Sequence, residues 1–260
     1  MYYQVNNVRL FVVDEGKKAP ALLFLHFYGG SSRTWAQVTN LLTTDHRCIR
    51  LDLRGWGASE KPETGYDIQT MADDVLALAG ELHLDNYILV GHSMGGKIAQ
   101  AVAARKPAGL KKMILVAPSP ATPTVPPPDR LQNMLKVYKS VDAMYFGIYM
   151  VLGGGNLPAA TKAWVVEDMQ KHSEGSRLGW PTIALGEDVS KGVGGIQIPV
   201  LVIAGENDII DPPAHMEREV VCKIPGAKMS VVPNVGHLSM VQAPEAVAEL
   251  IHEFCQATSQ

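Results

Sequence analysis

Short runs of apolar residues, spaced along the chain with helical patterns between them, constrain the fold of this sequence more than any other feature. The runs cover residues 21–26, 48–53, 87–90, 113–117, 199–204 and 229–232. Runs this short and this apolar are typical of strands that are buried on both faces of a parallel sheet. We therefore expect these segments to form the centre of the molecule.

The segments between the runs have the periodicity of helices. One apolar stripe, with steps of three and four residues, is formed by Ile68, Met71, Val75, Leu78 and Leu82. Asp67 is placed to cap the start of that helix, and Pro244 suits the first turn of a helix near the end of the chain. Strands that alternate with helices predict an α/β protein with a mostly parallel, doubly wound sheet.

The alternation fails between residues 118 and 195. This region opens with the proline-rich sequence SPATPTVPPPD and continues with helical patterns over 130–141, 159–171 and 180–189. We predict a helical cap, residues 118–195, inserted into a core domain that consists of residues 1–117 and 196–260.

Composition and charge narrow the classes of partner. A net charge of −3 over 260 residues gives no basic surface for a nucleic acid, and no membrane contact is predicted. The longest uncharged segment, residues 143–161, is interrupted by glycines and a proline, whereas a membrane helix needs about 18 or more continuous apolar residues. The first residues show no signal-peptide pattern.

Cysteine use and motif content predict neither metal nor cofactor. Cys48, Cys222 and Cys255 are few, odd in number and far apart, which indicates free thiols in a reducing cytoplasm. The sequence contains no H-E-x-x-H, no paired C-x-x-C and no EF-hand loop. The oligomeric state is not predicted.

Residues 90–98, VGHSMGGKI, match two motifs that both lie between a strand and a helix. Gly91, Gly96 and Lys97 fit the phosphate loop G-x-x-x-x-G-K-[ST], but Ile98 stands where a hydroxyl must bind Mg²⁺. We therefore disfavour nucleotide binding and interpret Lys97 as a solvated helix residue, with Ile98 facing the core.

The same stretch matches the nucleophile elbow G-x-S-x-G in full, with Gly91, Ser93 and Gly95. The two glycines remove Cβ atoms that would clash in a tight turn between strand and helix, which exposes Ser93 as a nucleophile. A serine hydroxyl also needs a base within hydrogen-bond reach, a carboxylate that orients the base, and donors for the oxyanion.

The candidates for carboxylate and base follow the last two predicted strands. Asp208 comes directly after the strand at 199–204, and Asp211 is the nearest alternative. His237 lies in the loop after the strand at 229–232. His215 is a weaker candidate for the base, and His92 is interpreted as a structural neighbour of the nucleophile.

The order Ser93, Asp208, His237 is the order of the α/β-hydrolase triad, and the chain resembles that superfamily over nearly its full length. Residues 52–59, DLRGWGAS, resemble its D-x-R-G-x-G-x-S loop, in which Asp52 and Arg54 would organise the loop. Residues 26–31, HFYGGS, resemble its H-G-x-G-G-S oxyanion loop. The resemblance implies the α/β-hydrolase fold with a helical cap insertion.

The resemblance also implies the remaining roles at the site. His237 would take the Ser93 proton and Asp208 would hold the imidazole, while the backbone N–H groups of Met94 and Tyr28 would bind the oxyanion. Phe27 departs from the family pattern, which has glycine there. We expect it either to line the acyl pocket as a substrate-binding residue or to serve as a packing residue.

The expected activity is hydrolysis of a small or medium carboxylic ester, or of a lactone, through an acyl-enzyme on Ser93. Similar family members that share the triad are cofactor-free perhydrolases and carbon–carbon bond hydrolases, and other members with the fold are ligand receptors, so these stay open as alternatives. Haloalkane dehalogenases and epoxide hydrolases of this fold carry an aspartate at the elbow, and Ser93 excludes both chemistries. The expected partner is a small-molecule ester or lactone substrate.

Overall fold

A single sheet of eight strands forms the centre of the computed structural model, which describes residues 1–257. The strands are β1 (Tyr2–Val5), β2 (Val8–Glu15), β3 (Ala21–Leu25), β4 (Arg47–Leu51), β5 (Tyr87–His92), β6 (Leu110–Val116), β7 (Val200–Gly205) and β8 (Lys228–Val232). Their spatial order is β1-β2-β4-β3-β5-β6-β7-β8. From β4 to β8 in that order all neighbouring strands are parallel, whereas β2 is antiparallel to both β1 and β4.

Helices connect the parallel strands and cover the sheet. They are α1 (Ala36–Leu42), α2 (Ile68–Glu81), α3 (Met94–Ala104), α4 (Pro128–Lys136), α5 (Val141–Phe146), α6 (Ala159–Met169), α7 (Glu174–Thr182), α8 (Pro213–Glu219), α9 (Ser239–Gln242) and α10 (Pro244–Gln256). Outside the region between β6 and β7, α2 packs with α3, and α1 packs with α10. This is the mostly parallel, doubly wound α/β sheet that the alternating pattern predicts.

The predicted parallel strands and two helix starts are confirmed. Strands β3, β5 and β7 are buried at every position, as continuous apolar runs require. The Asp67 side chain accepts a hydrogen bond from the Thr70 N–H and caps α2, and Pro244 occupies the first turn of α10. Strand β5 extends to His92, two residues beyond the predicted end at 90.

The segment between β6 and β7 holds helices α4 to α7. Helix α7 runs over Glu174–Thr182, so the predicted helix at 180–189 was wrong. Ser173 starts α7 with a capping box, in which its hydroxyl accepts from the Ser176 N–H and the Ser176 hydroxyl accepts from the Ser173 N–H. The division of the chain into core and cap at residues 118 and 195 stays a prediction.

Parallel strands bring their carboxyl ends to one edge of the sheet. The loops that follow β3, β5, β7 and β8 therefore meet there, and they carry the candidate site residues. Within residues 1–257 no helix is long and apolar enough to cross a bilayer.

Candidate active site

Ser93 lies at the sharp turn between β5 and α3. Its backbone has φ 53° and ψ −113°, a conformation that costs an L-residue about 1–3 kcal/mol. The turn is possible because an added Cβ on Gly91 would lie 2.3 Å from the Gly95 carbonyl oxygen, and one on Gly95 would lie 2.7 Å from that of Leu25. The Ser93 side chain makes no cap hydrogen bond to α3, so its hydroxyl is left for other contacts.

Asp208 and His237 are brought together at the same edge. The His237 Nδ1 lies 2.8 Å from the Asp208 Oδ2, and both side chains are buried. The other carboxylate oxygen accepts hydrogen bonds from the Ile210 and Asp211 N–H groups, at 2.8 and 3.1 Å. Because a carboxylate only accepts, Nδ1 carries the proton and Nε2 has a free lone pair.

The electrostatic environment makes His237 a stronger base than an ordinary histidine. Burial alone lowers its pKa, whereas the Asp208 carboxylate raises that pKa by its charge and its hydrogen bond. The charge of Asp211 adds to the increase, and the net pKa of His237 lies above the usual 6.5.

His92, the residue before Ser93, lies beside His237. The His92 ring centroid lies 4.9 Å from that of His237, and His92 immediately precedes Ser93. The hydrogen bonds of residues 1–257 do not include one between the Ser93 hydroxyl and His237 Nε2. Such contacts are often long in the absence of substrate and shorten in the Michaelis complex.

The alternative residues Asp211 and His215 lie close by but in a different arrangement. The Asp211 carboxylate is 3.8 Å from His215 Nε2, and His215, on α8, also contacts Arg218. Burial, together with the charge of Asp208, raises the pKa of Asp211 to about 7. Of the two carboxylates, Asp208 is the one hydrogen-bonded to His237.

The two predicted oxyanion donors belong to the loop after β3 and to the start of α3. Met94 is the first residue of α3, where N–H groups have no acceptor within the helix. Tyr28 follows β3, and its hydroxyl donates to the Arg177 carbonyl at 2.7 Å. The Phe27 ring is buried 5.2 Å from the His92 ring, which favours packing at this position, although its contact with substrate stays a prediction.

Comparison with known proteins identifies the family of the fold. The family profile described as alpha/beta hydrolase fold matches residues 20–244, well over half of the chain. The chain belongs to the α/β-hydrolase fold family.

Similar proteins include several hydrolases of this family. The "AB hydrolase superfamily protein YisY" of Bacillus subtilis is 31% identical over 258 residues, covering 95% of this chain and 96% of that protein. The "Putative non-heme bromoperoxidase BpoC" of Mycobacterium tuberculosis is 28% identical over 272 residues, covering 95% and 97%. An esterase (EaEST) structure from Exiguobacterium antarcticum superposes with a TM-score of 0.90 at 23% identity, covering 98% and 99%, and establishes the fold alone.

In this α/β hydrolase, Asp52 and Arg54 organise the loop after β4. The two oxygens of Asp52 accept hydrogen bonds from the Ser32 N–H at 2.5 Å and the Ala58 N–H at 2.7 Å. Arg54 forms a buried two-point ion pair with Asp74, at 2.5 and 2.8 Å. These contacts agree with the structural role expected for both residues.

The interpretation of Lys97 as a solvated residue was wrong. Its side chain is fully buried, and Nζ donates to the carbonyls of Leu185 at 2.9 Å and Thr122 at 3.3 Å. Burial lowers the pKa of Lys97 to about 8. Lys97 therefore connects helix α3 of this α/β hydrolase to two points in the segment between β6 and β7. Ile98 faces the core as expected.

Contacts between that segment and the oxyanion loop could not be predicted. The Tyr138 hydroxyl donates to the Tyr28 carbonyl at 3.2 Å, and the Ser31 hydroxyl donates to Asp168 at 2.7 Å. Arg33 binds the same carboxylate with two nitrogens, at 2.8 and 3.0 Å. These residues are more than 100 positions apart, and no motif links them.

Among residues 1–257 no group of three or more metal-binding side chains is arranged to hold an ion.

Proposed function

We propose that this α/β hydrolase is a serine hydrolase that cleaves a small or medium carboxylic ester or lactone through an acyl-enzyme on Ser93. The observation that carries the proposal is the buried Asp208–His237 hydrogen bond of 2.8 Å, next to a serine held at positive φ on a nucleophile elbow. The proposed substrate is a small molecule that reacts without a cofactor.

In the proposed reaction the Ser93 Oγ attacks the carbonyl carbon while His237 Nε2 takes the hydroxyl proton. The negative oxygen of the tetrahedral intermediate is bound by the N–H groups of Met94 and Tyr28. The bond to the alcohol then breaks, and His237 gives its proton to the leaving oxygen. Water attacks the acyl-enzyme with His237 as base, which releases the acid and restores Ser93.

Each part of the site supports a step of this reaction. Asp208 keeps the imidazole in the Nδ1–H tautomer and stabilises its charged form. The N–H of Met94 lies at the start of α3, where the helix dipole favours negative charge. Loss of one oxyanion donor typically costs about 3 kcal/mol in transition-state stabilisation.

The direct test is the hydrolysis of p-nitrophenyl acetate and butyrate by the wild type and Ser93→Ala. We expect turnover by the wild type and a loss of roughly a thousandfold or more in the variant, which keeps the elbow backbone but lacks the nucleophile. Equal rates for the two proteins would contradict serine-dependent ester hydrolysis.

A second candidate is a perhydrolase, which would use peroxide in place of water on the acyl-enzyme. The support is the similarity to a protein named as a bromoperoxidase. Peroxide-dependent halogenation of monochlorodimedone distinguishes a perhydrolase from a simple esterase.

A cytoplasmic location is part of the proposal and is supported by the unpaired state of all three cysteines.

A further inference from the structure

His92 is a buried residue of the site that has no part in the reaction proposed above. Its imidazole is fully buried at the end of β5, one residue before Ser93. Its Nε2 lies 2.8 Å from the main-chain carbonyl oxygen of His237. The residue that precedes the nucleophile therefore contacts the backbone of the residue that serves as base.

The chemistry of this contact defines the state of the ring. A carbonyl oxygen only accepts hydrogen bonds, so Nε2 of His92 is protonated and donates. Burial lowers the pKa of His92 well below the usual value, and the nearby His237 lowers that pKa further. His92 is thus a neutral donor over the pH range in which a histidine base works.

Aromatic neighbours hold the ring in place. The ring centroids of Phe27, Trp35 and His237 lie 5.2, 6.3 and 4.9 Å from that of His92. The second ring nitrogen, Nδ1, has no hydrogen-bond partner among residues 1–257. A buried acceptor without a partner is unfavourable, so an apolar side chain at this position would lose no stability through this nitrogen.

The loop around His237 has other anchors, and none of them holds this carbonyl. The Gly236 N–H donates to the Gln242 side chain at 2.9 Å, and the Leu238 N–H donates to the Leu152 carbonyl at 3.3 Å. The imidazole of His237 is fixed at Nδ1 by Asp208.

We propose that His92 is a positioning residue for the base: by donating to the His237 carbonyl, it couples the strand that carries the nucleophile to the loop that carries the base. This inference rests on the proposed function, in which Ser93 and His237 must meet during attack. Because the relative placement of nucleophile and base sets the rate of the chemical step, loss of the contact should lower kcat more than it raises KM.

The test compares three variants. His92→Leu removes the donor, whereas His92→Gln keeps an N–H donor at a similar reach. His46→Leu is the matched control, because His46 is also buried but precedes β4 at the opposite edge of the sheet. For His92→Leu we expect kcat on p-nitrophenyl butyrate to fall about 10- to 100-fold with KM within about threefold. His92→Gln should recover most of kcat, and His46→Leu should keep it.

A second measurement reports on the environment of the His237 imidazole and does not depend on activity. In proton NMR spectra, the His237 Nδ1–H bonded to Asp208 should give a strongly downfield signal in the wild type and in His92→Gln. In His92→Leu that signal should be shifted or broadened.

The proposal is overturned if folded His92→Leu keeps kcat within twofold of the wild type and an unchanged NMR signal. It is also overturned if Gln is as impaired as Leu, or if His46→Leu loses as much kcat. Failure of the proposed function is a different result, namely a wild type that is no faster than Ser93→Ala. In that case the NMR comparison still decides whether His92 positions His237.

Discussion

Two buried carboxylates three residues apart, Asp208 and Asp211, show how much a single residue's environment decides its role. Asp208 accepts from His237 and from two backbone N–H groups, whereas the nearest partner of the Asp211 carboxylate is His215 at 3.8 Å. Both carboxylates lie after β7, so position in the sequence alone left the choice between them open. The hydrogen bond to His237 identifies Asp208 as the candidate carboxylate of the triad.

The first prediction therefore compares Asp208→Asn with Asp211→Asn. An asparagine at 208 cannot accept from His237 as a charged group, and we expect kcat to fall about 10³- to 10⁴-fold. Asp211→Asn should stay within about tenfold of the wild type. Ester hydrolysis measures both, with circular dichroism as the control for folding. An equal loss in the two variants would contradict the assignment of Asp208.

The second prediction concerns the pH profile. A protonated His237 cannot accept the Ser93 proton, so kcat/KM should decrease as the pH falls through the His237 pKa, which lies above 6.5. The Asp211 carboxylate, whose own pKa is about 7, raises the pKa of His237 when it is ionised, and Arg130 lowers that pKa. In Asp211→Asn the acid limb should move to lower pH. A limb that stays in place or moves to higher pH would contradict this coupling.

At the scale of elements, helix α3 explains the error about Lys97. Every residue from Met94 to Ala103 is buried, including Lys97. Apart from Lys97 and Gln100, every residue of the sequence MGGKIAQAVAA is apolar or small, a pattern typical of a buried helix, and this signal is present in the sequence itself. The carbonyl groups that accept hydrogen bonds from Nζ lie far along the chain, at Thr122 and Leu185, and could not be predicted.

Lys97→Met is expected to change how stability depends on pH. The folded-state pKa of Lys97 is about 8, below the usual value for lysine, so between these two values only the unfolded chain keeps the proton. The free energy of unfolding of the wild type should therefore rise relative to the variant from pH 8 to 10, by on the order of 1–2 kcal/mol. Urea unfolding at several pH values measures the difference, with Lys111→Met as the exposed control. A difference that is constant or decreases with pH would contradict a buried, ionisable Lys97.

Other elements show where sequence patterns stop being informative. The parallel strands could be predicted because burial on both faces leaves continuous apolar runs, but β1 and β2 were not predicted. In β2, buried and more exposed positions alternate at its start, VRLFV, and its end is the charged pair Asp14-Glu15. The start of α7 at Ser173 was missed because its capping box is built from two serines and not from Ser and Glu.

At the scale of the whole molecule, hydrogen bonds and an ion pair join the region between β6 and β7 to the oxyanion loop and to Arg33, which follows it. Asp168 on α6 is buried and binds both Ser31 and Arg33, which follow β3. The fold class and the order of the candidate triad follow from local motifs. The contacts of Asp168 with Ser31 and Arg33 do not follow from local motifs, because they join segments that only the complete fold brings together.

Asp168→Asn should therefore cost both stability and activity. We expect a loss of about 2 kcal/mol in the free energy of unfolding, because the variant leaves buried polar groups without their charged partner. For a chain of this size that corresponds to a decrease of several degrees in Tm. We also expect a several-fold lower kcat/KM. Glu167→Gln is the matched control, since Glu167 binds the same Arg33 at the surface, where ion pairs contribute little. Equal effects of the two substitutions would contradict a specific role for Asp168.

The central claim is that catalysis proceeds through an acyl group on Ser93, and one measurement tests it most directly. The protein is mixed with p-nitrophenyl butyrate, quenched in acid within milliseconds, and examined by intact-mass and peptide mass spectrometry. We predict an added mass of one butyryl group, located on the peptide that contains Ser93 and absent in Ser93→Ala. An adduct on a residue other than Ser93, or an equal adduct in Ser93→Ala, would contradict the account.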